Sequence, residues 1–496
     1  MENKNSNVKK IIIVTSVIII IFSLIICGIF LGLNKNKKKP NVTISENKVS
    51  EEDIIQEEND RILEQENIKI KDDQNEILNR KYGKVEIVWV DEENNIIDEP
   101  LIPCLGGMTK LSYNSKKTAF EEVKDEETEW YNYKEQEWAN AIDENGSYFV
   151  WIPRYAYRIV YYSDSQYSKV IGYTDARGIL KLNVDGSFTR IATNNAGIRQ
   201  TDNHYIVAPA FVKDVASGYR NGGWSKELAG IWVAKYEMSM EKDKENIVTS
   251  SSEIGNVSTS DTIKAVSKPG ATSWRNININ NCYLNSFNYA RNRDSHLMKN
   301  SEWGAVAYLA YSKYGIGAIP LEINKNSDYR TGGSNIEKSV YLSNASQSSA
   351  GNATGVYDLS GGAWEYIAAY IDNGYEGLKT NGGGSDKDIY GSRNSKYKTV
   401  YENDDIDKAQ NYSQEYSNKH YALTLKRRGD AIYESSNSGY GNDAWNLNAS
   451  FFPQNDIPFF IRGGDYRGAS GMGLFSFNGY SGSSNNSEGF RVVLAF

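Results

Sequence analysis

The chain has 496 residues, a formal net charge of −8, 40% hydrophobic and 12% aromatic residues, with 42 Gly, 35 Tyr and 9 Pro. That length carries a membrane segment and one large or two medium domains, and the apolar share is enough for a core. Acids and bases are interleaved without a basic stripe, which argues against a nucleic-acid partner, and Cys27, Cys104 and Cys282 form no C-x-x-C pair, which excludes a Cys-rich zinc site.

Residues 11–33, IIIVTSVIIIIFSLIICGIFLGL, carry no charge. At about 1.5 Å per residue such a run crosses a hydrocarbon core of about 30 Å, and it is longer than the apolar region of a cleaved signal peptide. The expectation is a retained transmembrane anchor in the lipid bilayer, with 1–10 as a short cytoplasmic tail. The protein is then a single-pass cell-membrane protein whose C-terminal domain is extracellular. Cys27 falls inside the run, so Cys104–Cys282 is the one disulfide open to the soluble part.

Residues 34–82 are rich in charge. Ile55 and Ile62 are seven apart, but Lys69 and Glu76 continue that row, so a partly helical stalk or a solvated spacer is expected rather than a stable coiled coil. Residues 83–145 read as a small β-rich segment, because Val85, Ile87 and Trp89 alternate before a DEENN turn. From 146 to 496, short apolar stretches alternate with Gly, Asn and Ser. Only 283–292 and 301–313 have helical spacing, with Ser301 as a candidate cap. The predicted class is α+β, with little regular secondary structure.

Six stretches of this last region, in order, carry a resemblance: FVWIPRY at 149–155, GIWVAKYEMS at 230–239, LMKNSEWGAVAYLA at 297–310, VYDLSGGAWEY at 356–366, IRGGDY at 461–466 and GFRVVL at 489–494. Together they resemble the formylglycine-generating enzyme (sulfatase-modifying factor) family, whose domain is a variant of the C-type lectin fold. The resemblance implies a calcium ion at the 356–366 loop. Its ligands would be the Asp358 and Glu365 side chains and the Gly361 and Ala363 carbonyls, a hard oxygen set of the kind calcium takes. The alternative is a tight turn in which Asp358 bonds nearby N–H groups.

The same resemblance argues against catalysis. The family's copper-binding Cys pair corresponds here to Gly468 and Gly473, and Gly offers no soft ligand. A sister branch uses iron on a His-rich set, but His204, His296 and His420 are widely spaced. Neither copper nor iron is expected. No G-x-S-x-G elbow, P-loop or G-x-G-x-x-G motif is present. Asp386-Asp388 and Asp404-Asp405-Asp407 read as solvated loops. Arg428-Gly429-Asp430 spells an adhesion tripeptide, which arises easily by chance.

The C-terminal stretch 463–489 is rich in Gly, Ser and Asn, with Tyr466, Arg467, Phe475, Phe477 and Tyr480 interspersed. By resemblance this is the ligand face of the fold, and the composition suits adaptable contact surfaces. The expected function is a non-catalytic, membrane-anchored, lectin-like binding module that recognises a protein or glycan ligand there. The alternatives are a formylglycine-generating-type oxidoreductase or other modifying enzyme with a non-Cys site, and a structural component of an envelope or appendage complex.

Overall fold

The computed structural model describes residues 51–124, 129–161, 172–173, 179–191, 198–199, 204–213, 223–333, 344–392, 395–401, 428–468 and 471–496. Met1–Asn67 and Ile68–Phe496 are two units. What is described of the first belongs to the helix Glu51–Tyr82, half of whose 32 residues are Asp, Glu, Lys or Arg. Everything below concerns the second.

A seven-stranded sheet runs His296–Leu297, Val492–Leu494, Gly230–Ala234, Tyr148–Pro153, Asn140–Ile142, Thr109–Asn114 and Ala119–Glu122. Its central register pairs Trp232 with Trp151 on one side and with Leu494 on the other. All five residues of Gly230–Ala234 are buried, as expected for a strand that is apolar on both faces and covered on both. A second sheet orders Thr399–Tyr401, Trp364–Ile371, Phe459–Gly463 and Gly473–Tyr480, with Glu488–Phe490 lying parallel to Trp364–Ile371. Only Arg491 separates Glu488–Phe490 from Val492–Leu494, so the chain passes from one sheet to the other at that residue. A six-stranded sheet pairs Lys84–Val90 with Tyr155–Val160. Strands on either side of residue 146 therefore share sheets.

The helix Asn300–Tyr311 is buried along its whole length, which is why it is apolar all round and not on one face. Its Trp303 Nε1–H donates to the Leu474 carbonyl at 2.7 Å. Gly304 lies against a loop: a Cβ built there would stand 1.8 Å from the Gly429 carbonyl oxygen. The helices expected at 283–292 and 301–313 are Ile279–Tyr289 and Asn300–Tyr311. The first starts earlier because the Asn278 side chain accepts from the Asn281 N–H at 2.8 Å. In the second, Glu302 accepts from the Lys299 N–H at 2.8 Å, so the first turn is closed by that carboxylate and not by Ser301.

Two expectations are corrected. Strands in five sheets dominate the described residues, so the α+β class with little regular structure, led by a transmembrane helix, does not hold: even within the Gly- and Ser-rich C-terminal stretch, Gly473–Tyr480 is an eight-residue strand. The proposed anchor, 11–33, lies outside the described residues. Among those that are described, no helix is long and apolar enough to cross a membrane, the 32-residue helix being too charged. The single-pass, cell-membrane, extracellular assignment and its bilayer contact are withdrawn. Cys104 and Cys282, whose pairing the sequence left open, are free thiols, one exposed and one buried.

Candidate functional site

The 356–366 loop is held by buried charge. Asp358 sits in the left-handed region at φ 61°. It accepts from the Gly332 N–H at 2.7 Å and the Asn324 Nδ2–H at 2.8 Å, and also from the Glu237 amide. Glu365 is fully buried and takes the Arg491 guanidinium, Nη2 to Oε1 at 2.6 Å and Nε to Oε2 at 2.9 Å. Arg491 also donates to the carbonyls of Ala234 at 2.7 Å and Tyr357 at 2.9 Å. Glu237 accepts from the Ala363 N–H at 2.8 Å. Gly362, at φ 74°, allows this approach, since a Cβ there would stand 2.5 Å from Glu237 Oε1.

Three buried carboxylates thus share one guanidinium. Burial first, then the Asp358 and Glu365 charges, push the Glu237 carboxyl well above its ordinary value. Burial also raises Asp358 and Glu365, against the pull of Arg491. The arrangement does not fit calcium. Both oxygens of Asp358 and both of Glu365 already receive hydrogen bonds from protein donors. Among the described residues no group of three or more His, Cys, Asp and Glu could hold a metal ion. A guanidinium stands where the cation was expected, and no step is derived through a metal.

The five expected ligand-face residues separate. Phe475 and Phe477 are buried. Phe475 packs between Tyr311, at 5.4 Å between ring centroids, and Trp445, at 5.0 Å. Tyr466 is half-buried and lies edge-on to Tyr329 at 4.9 Å, and its N–H donates to the Gly362 carbonyl at 2.9 Å. Arg467 is the most open, its side chain 56% exposed, and its Nε donates to Asp465 at 2.9 Å. Tyr480 is half-buried against Tyr366, and its hydroxyl accepts from Asn485.

The sequence reading missed Glu488, next to this group. The Glu488 carboxyl is buried, with Oε1 accepting from the Ser487 hydroxyl at 3.0 Å and Oε2 without a partner among the described residues. Burial, aided by the Asp465 carboxylate, pushes it up to about 7. The available signal was a carboxylate directly before the terminal GFRVVL stretch.

The reading also missed a small pocket of about 10 Å³, roughly the space of one water. Its walls include Tyr311, Leu321, Asn446, Asn448, Met472 and Gly473. Asn448 braces it, donating to the Met472 carbonyl at 3.1 Å and accepting from the Phe475 N–H at 3.1 Å. Among the described residues, the Tyr311 hydroxyl and Asn446 Oδ1 have no hydrogen-bond partner, and both atoms are buried. Asn446 and Leu447 are consecutive left-handed residues, at φ 61° and 60°. Such strain costs on the order of 1–3 kcal/mol per residue and gathers at functional sites. The same loop exposes Leu447 and Tyr440, at 52% and 59%.

Gly473 in this pocket and Gly468 nearby are the positions matched to the family's Cys pair. A Cβ on Gly468 would stand 1.8 Å from Met472 Cγ, and one on Gly473 2.6 Å from Asn448 Oδ1. The residues present lack thiols and leave no room for them, so they do not fit copper. His296 does not supply an iron site either: Nε2 pairs with Glu302 Oε1 at 2.8 Å and Nδ1 with the Asp294 carbonyl at 2.7 Å. His204 lies in the strand His204–Val207. His420 and Asp404-Asp405-Asp407 lie outside the described residues. Asp388 caps a turn, accepting from the Ser385 N–H at 2.8 Å. Arg428 and Asp430 are buried, which removes the adhesion tripeptide from the surface. No protein-family model matches the chain, and no curated protein matches it.

Proposed function

We propose that the protein is a non-catalytic binding module that takes a protein or glycan ligand on the face formed by the 436–450 loop and the 471–474 segment. The observation that carries this reading is the loop that exposes Tyr440 and Leu447, at 59% and 52%, and holds Asn446 and Leu447 as consecutive left-handed residues. Backbone strain of this kind gathers at functional sites, and the 471–474 segment lies against the same loop, where Asn448 donates to the Met472 carbonyl at 3.1 Å. The motif order that resembles the formylglycine-generating enzyme family supports a ligand face in this region, while Gly468 and Gly473 count against its chemistry.

The test is a screen of the full-length protein on glycan and surface-protein arrays, beside a Tyr440→Ala/Leu447→Ser variant that melts at the same temperature. The reading expects a ligand that the variant loses. Absence of binding on both arrays, or equal binding by the variant, rejects it.

A further inference from the structure

We propose that the protein carries an oxidising equivalent inward along a chain of Tyr and Trp rings and holds it as a tyrosyl radical at Tyr157 or Tyr308, with Glu434 as the proton acceptor. This activity is separate from the binding module and does not rest on it. The chain starts at two half-buried rings, Trp130 and Tyr131, 5.4 Å apart between centroids. It continues to Tyr133 after 5.8 Å, to Trp89 after a further 5.6 Å and to Tyr155 after a further 6.5 Å. Tyr157 follows at 6.5 Å, and Tyr308 is stacked on it at 4.7 Å and 22°. Every ring after Tyr131 is buried. The spacings are those of aromatic neighbours in contact, and an electron crosses such short separations readily.

The inner end differs from the rest in its hydrogen-bond partner. Losing an electron turns a phenol into a strong acid, so the vacancy settles on a ring that has a base at its hydroxyl. The Trp130 Nε1–H donates to the Asn140 carbonyl at 2.8 Å, the Tyr133 hydroxyl to the Trp151 carbonyl at 2.7 Å and the Tyr155 hydroxyl to the Ala305 carbonyl at 2.6 Å. A backbone carbonyl accepts a hydrogen bond but does not take the proton, so these rings relay. Tyr157 and Tyr308 instead donate to the buried Glu434 carboxylate, at Oε1 and Oε2, each at 2.8 Å. The Gly429 N–H also donates to it at 2.8 Å, and Arg428 Nη1 stands 3.7 Å away. Burial, then the Glu434 charge, holds the Tyr308 hydroxyl well above its ordinary value, so at rest the proton stays on the phenol.

The step balances with a one-electron oxidant from solution, such as an oxygen-derived radical. The oxidant gains one electron from Trp130 or Tyr131, and the vacancy moves inward by successive electron transfers. Tyr157 or Tyr308 gives up the last electron and passes its phenolic proton to Glu434, which leaves a neutral radical beside a neutral acid. A one-electron reductant restores the phenol, and Glu434 returns the proton.

The experiment is flash photo-oxidation of the full-length protein with a soluble ruthenium polypyridyl complex and a sacrificial electron acceptor. Transient absorption and freeze-quench electron paramagnetic resonance read the radical, and ring-deuterated tyrosine identifies it. Ascorbate added after the flash removes radicals at the surface and spares buried ones. Wild type is expected to give an ascorbate-resistant tyrosyl radical that forms more slowly in deuterated buffer. Tyr157→Phe/Tyr308→Phe should abolish it, and Tyr155→Phe, which breaks the relay, should lower its yield. Glu434→Gln should shorten its lifetime at least about tenfold, the worth of one charge-assisted hydrogen bond. Only ascorbate-sensitive radicals in wild type, an equal resistant signal in Tyr157→Phe/Tyr308→Phe, or an unchanged lifetime in a Glu434→Gln protein that melts like wild type overturns the proposal. If Glu434→Gln does not fold, equal rates of formation in ordinary and deuterated buffer overturn the proton step.

Discussion

Replacing Glu488 by Gln should flatten the dependence of stability on pH. The folded chain holds this carboxyl at about 7 against an ordinary 4.5, because it is buried and near Asp465. Between those values the folded state keeps a proton that the unfolded state releases. The stabilisation is therefore complete below about pH 4.5 and is lost as pH rises through 7. Between pH 5 and pH 8 the linkage amounts to about 2.5 kcal/mol. Glu237, Asp358 and Glu365 are also raised and slope the same way, so the measurement is a difference between proteins. Urea unfolding of wild type and Glu488→Gln at both pH values gives it. The amide resembles the protonated carboxyl in size, so the variant should match wild type at pH 5 and exceed it at pH 8. Parallel pH profiles, with a gap that changes by less than about 0.5 kcal/mol, refute the assignment of a neutral Glu488.

Two further outcomes follow from the packing. Gly304→Ala should destabilise by about 3 kcal/mol or more by thermal melting, because its methyl meets the Gly429 backbone at 1.8 Å and no flexible side chain is there to yield. Calcium up to the millimolar range, against chelator, should leave the melting temperature within about one degree. Arg491 already neutralises Glu365, and donors fill Asp358, whereas a bound ion at a hundred times its Kd would add about 2.7 kcal/mol. A shift of several degrees restores a cation to that loop.

Some of this architecture was legible one stretch at a time. The runs at 149–155, 230–234 and 489–494 read as strands because they are mostly apolar, the first and last being broken at their one charged residue, Arg154 and Arg491, and the spacing of Trp303, Val306 and Ala307 marked a helix. Where the sequence reading went astray, the competing signal was composition. Phe475-Ser476-Phe477-Asn478 alternates with period two, as a strand does, but its Gly- and Ser-rich surroundings suggested an exposed loop. Glu365 looked like a cation ligand because its partner, Arg491, stands 126 residues further on, and no local pattern reveals a pairing at that range. The pocket was beyond reach for the same reason. Its walls come from the end of one helix, residues 317–321, a strained turn at 446–448 and the start of a strand, which meet only after folding.

The strand Val492–Leu494 lies between Gly230–Ala234 and His296–Leu297, inside its sheet. During synthesis, Trp232 waits for Leu494 while about 260 intervening residues are added, roughly 13 to 50 seconds at 5 to 20 residues per second. Until then one flank of an all-apolar strand is an open edge, the kind of surface on which nascent chains stick to one another. The fold therefore closes late and over a long loop, a slow step by topology alone. Its yield in a cell should depend on whatever shields Gly230–Ala234 during that interval.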